Sequence, residues 1–172
     1  MNRKQTTSFL SDLLKRDKFK GISKYWASEV TFDYGTKQTI RLDFVQFVPE
    51  GVFSISQLEH GKFYCYEVKS CKADFHSGFG QNYIGEFNYL VMTMNTYKEC
   101  IHEIPHDVGV LVAVPYVSYT NRRKIALQEF ENPTQIDGNV EHWCLACICE
   151  PTPKIRQRSM TEMLFCMLRA GH

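Results

Sequence analysis

No run of about 18 consecutive apolar residues occurs in the chain, so no segment reads as a membrane-spanning helix. The opening residues Met1-Asn2-Arg3-Lys4-Gln5 are polar and lead into no apolar stretch of the signal-peptide kind. A cytoplasmic location is therefore expected. A dominant charge is missing as well: 20 Lys and Arg stand against 19 Asp and Glu, a formal net charge of +1. With no global basic field, a nucleic-acid partner has to be met by a local basic face. Repeats, linkers and low-complexity tracts are absent, and the 172 residues read as one domain, large enough to bury a core without staples. The seven cysteines are odd in number and scattered, which excludes a full disulfide framework. Without a secretion signal they read as reduced thiols, mostly packed as small hydrophobes.

What is present is an ordinary globular composition, 44% hydrophobic and 13% aromatic, with clear periodicities. Thr7 to Lys18 sets Phe9, Leu10, Leu13 and Leu14 on one face and predicts an amphipathic helix. Strands are predicted around Glu29 to Tyr34, over Gln38 to Val48, and over Lys62 to Lys69, with a turn at Gly35-Thr36-Lys37. Ser54 to His60 suggests a short helical turn. The glycine-punctuated stretch Ser70 to Gly85 reads as a loop with a short helix near Gln81 to Ile84, stopped by Gly85. Phe87 to Thr93 follows as a strand. Asn95 is placed to cap a helix running to about Glu103, and Val108 to Val114 is the continuous apolar run of a strand covered on both faces. Lys124 to Phe130 and Trp143 to Cys149 are predicted as further strands. Ser159-Met160-Thr161-Glu162 is a capping box opening a helix with Met160, Met163, Leu164, Met167 and Leu168 in apolar register. This alternation predicts an α/β fold, a mixed central β-sheet flanked by helices.

The chemistry centres on Tyr66-Glu67-Val68-Lys69. Residues i and i+2 of a strand share a face about 6.5 Å apart, so Glu67 and Lys69 point together. Charges among apolar strand residues are costly unless partnered. The preceding strand supplies Asp43 between Leu42 and Phe44. If the two strands pair, Asp43 and Glu67 converge on one hard oxygen site suited to Mg²⁺ or Mn²⁺. The backbone carbonyl of Val68 is a further ligand, and Lys69 is placed to steady an attacking water or a developing negative charge. By itself an acid-x-Lys triplet is also what a solvated strand face looks like.

Asp43 followed by Glu67-Val68-Lys69 resembles the D…(D/E)xK signature of the PD-(D/E)XK nuclease superfamily. The run EVKSCKADFHSGFGQNYIGEFNYLVMT, followed by IPHDVGVLVAVP, is similar to small MmcB-like members, DNA-repair and phage-borne proteins among them. The likeness spans roughly Glu29 to Pro115, about half the chain, and lacks only the proline before Asp43. It implies a restriction-endonuclease-like core and an Mg²⁺-dependent deoxyribonuclease serving repair, recombination or mobile-element DNA processing. Asp43 and Glu67 would be metal ligands and Lys69 the catalytic lysine. Glu29 stands where related nucleases have an additional acid, and Gln81 where they place a polar residue near the metal. Each has a plainer reading, Glu29 as a charge at a strand edge and the glycine-rich segment as a flexible turn.

DNA contacts are expected from Arg122, Arg123 and Lys124, with Lys72 and Asn82 nearer the triad; Lys154, Arg156 and Arg158 form a second basic group. A solvated loop explains any one such cluster equally well. His142, Cys144, Cys147 and Cys149 are weighed as a zinc or iron–sulfur site, but strand alternation sends Cys144 to one face and Cys147 to the other. Nothing calls for a small-molecule cofactor. A homodimer would suit duplex cleavage without being demanded by the sequence. The competing class is a non-catalytic binding or regulatory protein, engaging nucleic acid or a protein from a nuclease scaffold.

Overall fold

The computed structural model describes residues 1–21, 24–51, 54–117 and 121–170, apart from the side chain of Arg123. The Arg123 side chain, named above, lies outside what is described. Six strands form one open sheet whose spatial order follows the chain: β1 (Tyr25–Phe32), β2 (Ile40–Val48), β3 (Lys62–Lys69), β4 (Phe87–Thr93), β5 (Gly109–Pro115) and β6 (Trp143–Cys149). The first three pair antiparallel, β3, β4 and β5 run parallel, and β6 returns antiparallel. The expected mixed sheet flanked by helices is what the chain forms.

Helix α1 (Arg3–Leu14) begins at Asn2, whose side chain accepts from the Gln5 N–H while Gln5 answers with its own side chain. It lays Phe9, Leu10, Leu13 and Leu14 on one sheet face, against Tyr66, Val68, Tyr89, Val91 and Leu111. A π-helical turn over Lys15–Phe19 carries Phe19 onto the same face. Beyond β2, the short α2 spans Ile55–Glu59 and α3 spans Lys72–Phe75. The opposite sheet face is shared by two groups of helices. Helices α4 (Met94–Cys100) and α5 (Arg122–Glu131) cover Leu90, Met92, Val110, Val112 and Ala146. Helix α6 (Met160–Ala170) covers Val30, Phe32, Val45, Phe47 and Cys65 through Met163, Cys166 and Met167.

Three local expectations are corrected. The segment Lys124 to Phe130 is helix α5, not a strand. Ile125, Ala126 and Glu129 are the buried residues and Leu127 is exposed, a helical spacing and not a period of two. No helix forms at Gln81 to Ile84; the helical turn lies earlier, at α3, and Gly78 and Gly80 adopt φ of 73° and 71°, which ends any continuation. The cap of α4 is Thr93, accepting from the Thr96 N–H, rather than Asn95. On β6, Cys144 packs on the α5 side and Cys147 on the α1 side, as alternation requires.

Candidate active site

The β2–β3 ladder runs from Val48 opposite Lys62 to Phe44 opposite Tyr66 and stops there. One step further would set Asp43 opposite Glu67. Instead the Asp43 carboxylate accepts from the Val68 N–H at 2.8 Å, so a side chain takes the place of the missing ladder bond. Glu67 and Lys69 pair in register with Leu90 and Met92 and so share their face of the sheet. Both are buried to 3% exposure, in the gap between the α6 and α4–α5 groups.

Glu67 and Asp43 lie within hydrogen-bonding reach of each other, yet Oε1 of Glu67 is buried with no partner. Burial, and then the Asp43 charge, push the Glu67 carboxyl far above the usual range; Lys69 opposes this and does not win. Lys69 does not close on either carboxylate among the described ion pairs. Its ammonium donates to the Phe79 carbonyl at 2.5 Å.

That carbonyl belongs to the Gly78-Phe79-Gly80 loop, which passes directly over the two side chains. A Cβ on Gly80 would sit 2.2 Å from Oε2 of Glu67 and 3.2 Å from Nζ of Lys69. Only glycine fits there, on space and on φ together. The three residues open onto a cleft of about 790 Å³, lined also by Arg3, Glu29, Tyr34, Arg41, Asp74, Phe79 and Asn82.

Asp74 holds the loop end of β3. Its carboxylate accepts from the Ser70 N–H and hydroxyl and pairs with Arg3 at 2.6 Å. Partial burial works against ionisation, but the Ser70 hydrogen bonds and the Arg3 and Lys69 charges hold its carboxyl below the usual range. Tyr83, in a left-handed conformation (φ 47°), buries a hydroxyl without a partner; burial and the Glu67 charge push it up to about 12.

Of the expected site residues, Asp43, Glu67, Val68 and Lys69 come together, and Asn82 lines the same cleft. Glu29 does not join them. Its φ of 54° interrupts the β1–β2 ladder between Ser28 and Val30, and its exposed carboxylate pairs with Arg41 at 3.0 Å on the cleft rim. Gln81 is drawn aside, its amide donating to the Phe75 carbonyl at 2.7 Å. Lys72 is exposed beside Glu103, at 3.9 Å.

The basic groups are largely committed elsewhere. Arg122 donates to the Leu145 carbonyl and to Asp17, tying α5 to the start of β6 and the π turn, while Lys124 is exposed on the same helix. Lys154, Arg156 and Arg158 are ion-paired with Asp107, Glu86 and Asp33. The residues that composition and spacing did not single out are Arg3, Tyr34 and Phe79. Only Phe79 carried a local signal, a large apolar side chain between two glycines.

Among the described residues no three His, Cys, Asp or Glu side chains surround one point. A cation here would have two carboxylates and a main-chain carbonyl from the protein and the rest from water or substrate, a donor set that suits Mg²⁺. The orphaned Glu67 oxygen beside a second carboxyl fits that group. Among the same residues no helix is long and apolar enough to cross a membrane. The chain matches no protein family and no curated protein sequence. It does share its fold with a protein of unknown function from Silicibacter pomeroyi, at a TM-score of 0.55 and 12% identity over 95% of this chain and 84% of that one.

Proposed function

We propose that this chain is a metal-dependent nuclease, hydrolysing phosphodiester bonds in DNA at the cleft bearing Asp43, Glu67 and Lys69. The supporting observation is the pair of carboxyls meeting where the β2–β3 ladder stops, one with a buried oxygen lacking any partner. A buried acid facing a half-buried one calls for a proton or a cation between them. Asp43, Glu67 and the Val68 carbonyl would hold Mg²⁺ or Mn²⁺, which when bound supplies charge neutralisation at phosphate and a more acidic water. Asp43 is fixed for that task by the Val68 N–H. Lys69, whose one described partner is a loop carbonyl, exchanges that bond for a phosphate oxygen when substrate enters. Its desolvated ammonium then stabilises the negative charge that develops on the phosphate. DNA processing by a cytoplasmic protein, acting alone or as a homodimer across a duplex, is the setting this reading implies.

The test is cleavage of labelled DNA by the pure protein in Mg²⁺ or Mn²⁺, with Lys69→Ala alongside. Removing a preorganised cation lowers the rate on the order of 10²-fold or more. Equal cutting by both proteins would sink the assignment. One observation favours a second reading, a binding protein on the same scaffold: the glycine loop already occupies the Lys69 ammonium. Tight DNA binding with neither cutting nor metal uptake would establish that reading instead.

A further inference from the structure

Two aromatic side chains stand in solvent on the wall of the cleft and belong to no part of the core. Phe79 is 81% and Tyr34 78% exposed, and both line the cleft that holds Asp43, Glu67 and Lys69. A lone exposed apolar side chain needs no explanation, but two on one polar cleft are a different matter. Phe79 is held there by construction. Its carbonyl accepts from Lys69, and the left-handed glycines on either side shape the loop that keeps its ring outside the core. Tyr34, in the β1–β2 turn, has the Arg169 guanidinium 5.9 Å from its ring centroid. The same cleft carries Arg3 and Arg41, each at 64% side-chain exposure and paired to a single carboxylate.

Exposed aromatic rings and cations in one cleft form the footprint of an unpaired strand, which offers base faces and phosphates together. A duplex hides its base faces in the stack and presents them only after extrusion. We infer that the cleft selects single-stranded over duplex nucleic acid. Phe79 and Tyr34 stack on bases flanking the phosphate at Lys69, and Arg3 and Arg41 meet the neighbouring phosphates. The inference rests on the nuclease reading for the position of the phosphate, and on the exposed rings for the choice of strand.

Fluorescence anisotropy decides it, using one labelled DNA oligonucleotide as single strand, as duplex and as an abasic strand, in EDTA so that nothing is cut. The single strand should bind more tightly than the duplex. Phe79→Ala should weaken single-strand binding on the order of tenfold and leave abasic binding unchanged, while Phe79→Trp retains the affinity. Phe79 contributes little to the core, so neither variant threatens the fold. Equal affinity for single strand and duplex, or an equal loss on the abasic strand, would overturn the inference. The same oligonucleotides in Mg²⁺ separate it from the nuclease reading. Cutting with no strand preference overturns the stacking role alone, whereas Phe79-dependent single-strand binding without cutting upholds that role and removes the nuclease.

Discussion

Glu67 and Glu86 are both buried carboxylates, one in β3 and one just ahead of β4, and they are treated in opposite ways. Oε2 of Glu86 accepts from the Phe63 N–H at 2.9 Å, and Oε1 meets the Arg156 guanidinium at 2.6 Å. That guanidinium also lies over the Phe63 ring, 5.4 Å from its centroid. Glu67 faces another carboxyl, leaves Oε1 without a partner, and sees the Lys69 ammonium turned toward a loop carbonyl. A buried charge with its valences filled ties strands and the segment ahead of α6 together. One left unfilled is a defect that stability alone would remove, and such defects gather where ligands bind. Burial therefore does not separate the two glutamates; hydrogen-bond satisfaction does.

The strongest way to break the comparison is to make Glu86 resemble Glu67. Arg156→Ala should strand the Glu86 charge and cost about 2 kcal/mol, reduced from the fully buried case because Arg156 is partly exposed. Thermal unfolding would show this as a Tm lower by roughly 4–8 °C. Any Tm rise produced by Mg²⁺ should survive in the variant, since Glu86 takes no part in the cleft. An unchanged Tm would mean that filled valences are not what distinguishes Glu86.

A smaller effect comes from crowding the unfilled one. Gly80→Ala forces a left-handed alanine and presses a methyl into the Glu67 carboxylate, so roughly 1–2 kcal/mol of stability should be lost. The atom displaced is a side-chain oxygen, so the Glu67 carboxylate moves and the Mg²⁺-dependent Tm rise should vanish with it. Calorimetry with and without Mg²⁺ checks both parts; a retained metal response would show that the loop does not set the position of Glu67.

Most strands were legible because their signals are local. β3, β4 and β6 have the bounds expected from the runs Lys62 to Lys69, Phe87 to Thr93 and Trp143 to Cys149. Asp43, Glu67 and Lys69 stood out because charge inside such runs has to be explained, and period-two alternation placed two of them on one face. Helix α5 was missed because Ile125 and Leu127 alternate over too short a span for the period to be read. Glu29 and Gln81 failed for another reason. Each matches its expected place along the chain, but Glu29 is deflected by a positive φ, and the Gln81 amide is bonded to the Phe75 carbonyl. Arg122 looked like a free surface cation, yet its partners Asp17 and Leu145 are remote in sequence, and only the folded chain brings them near.

The smallest expected effect runs against the usual direction of mutations. Glu67→Gln keeps the shape of the side chain and removes a charge that burial and Asp43 both disfavour. In the metal-free protein it should add on the order of 1 kcal/mol, read as a Tm higher by roughly 2–4 °C. The sign with pH follows from the raised carboxyl. Below the ordinary value near 4.5, Glu67 is protonated in both the folded and unfolded chain, and wild type and variant should match. As the pH climbs past that value the unfolded chain ionises first, so wild type loses stability and the gap widens toward the folded-state value. Mg²⁺ or Mn²⁺ should then close the gap by stabilising wild type through binding and leaving the variant unmoved. Equal metal-free melting of the two proteins at pH 8 would mean that Glu67 finds a partner after all, and the contrast with Glu86 would fall.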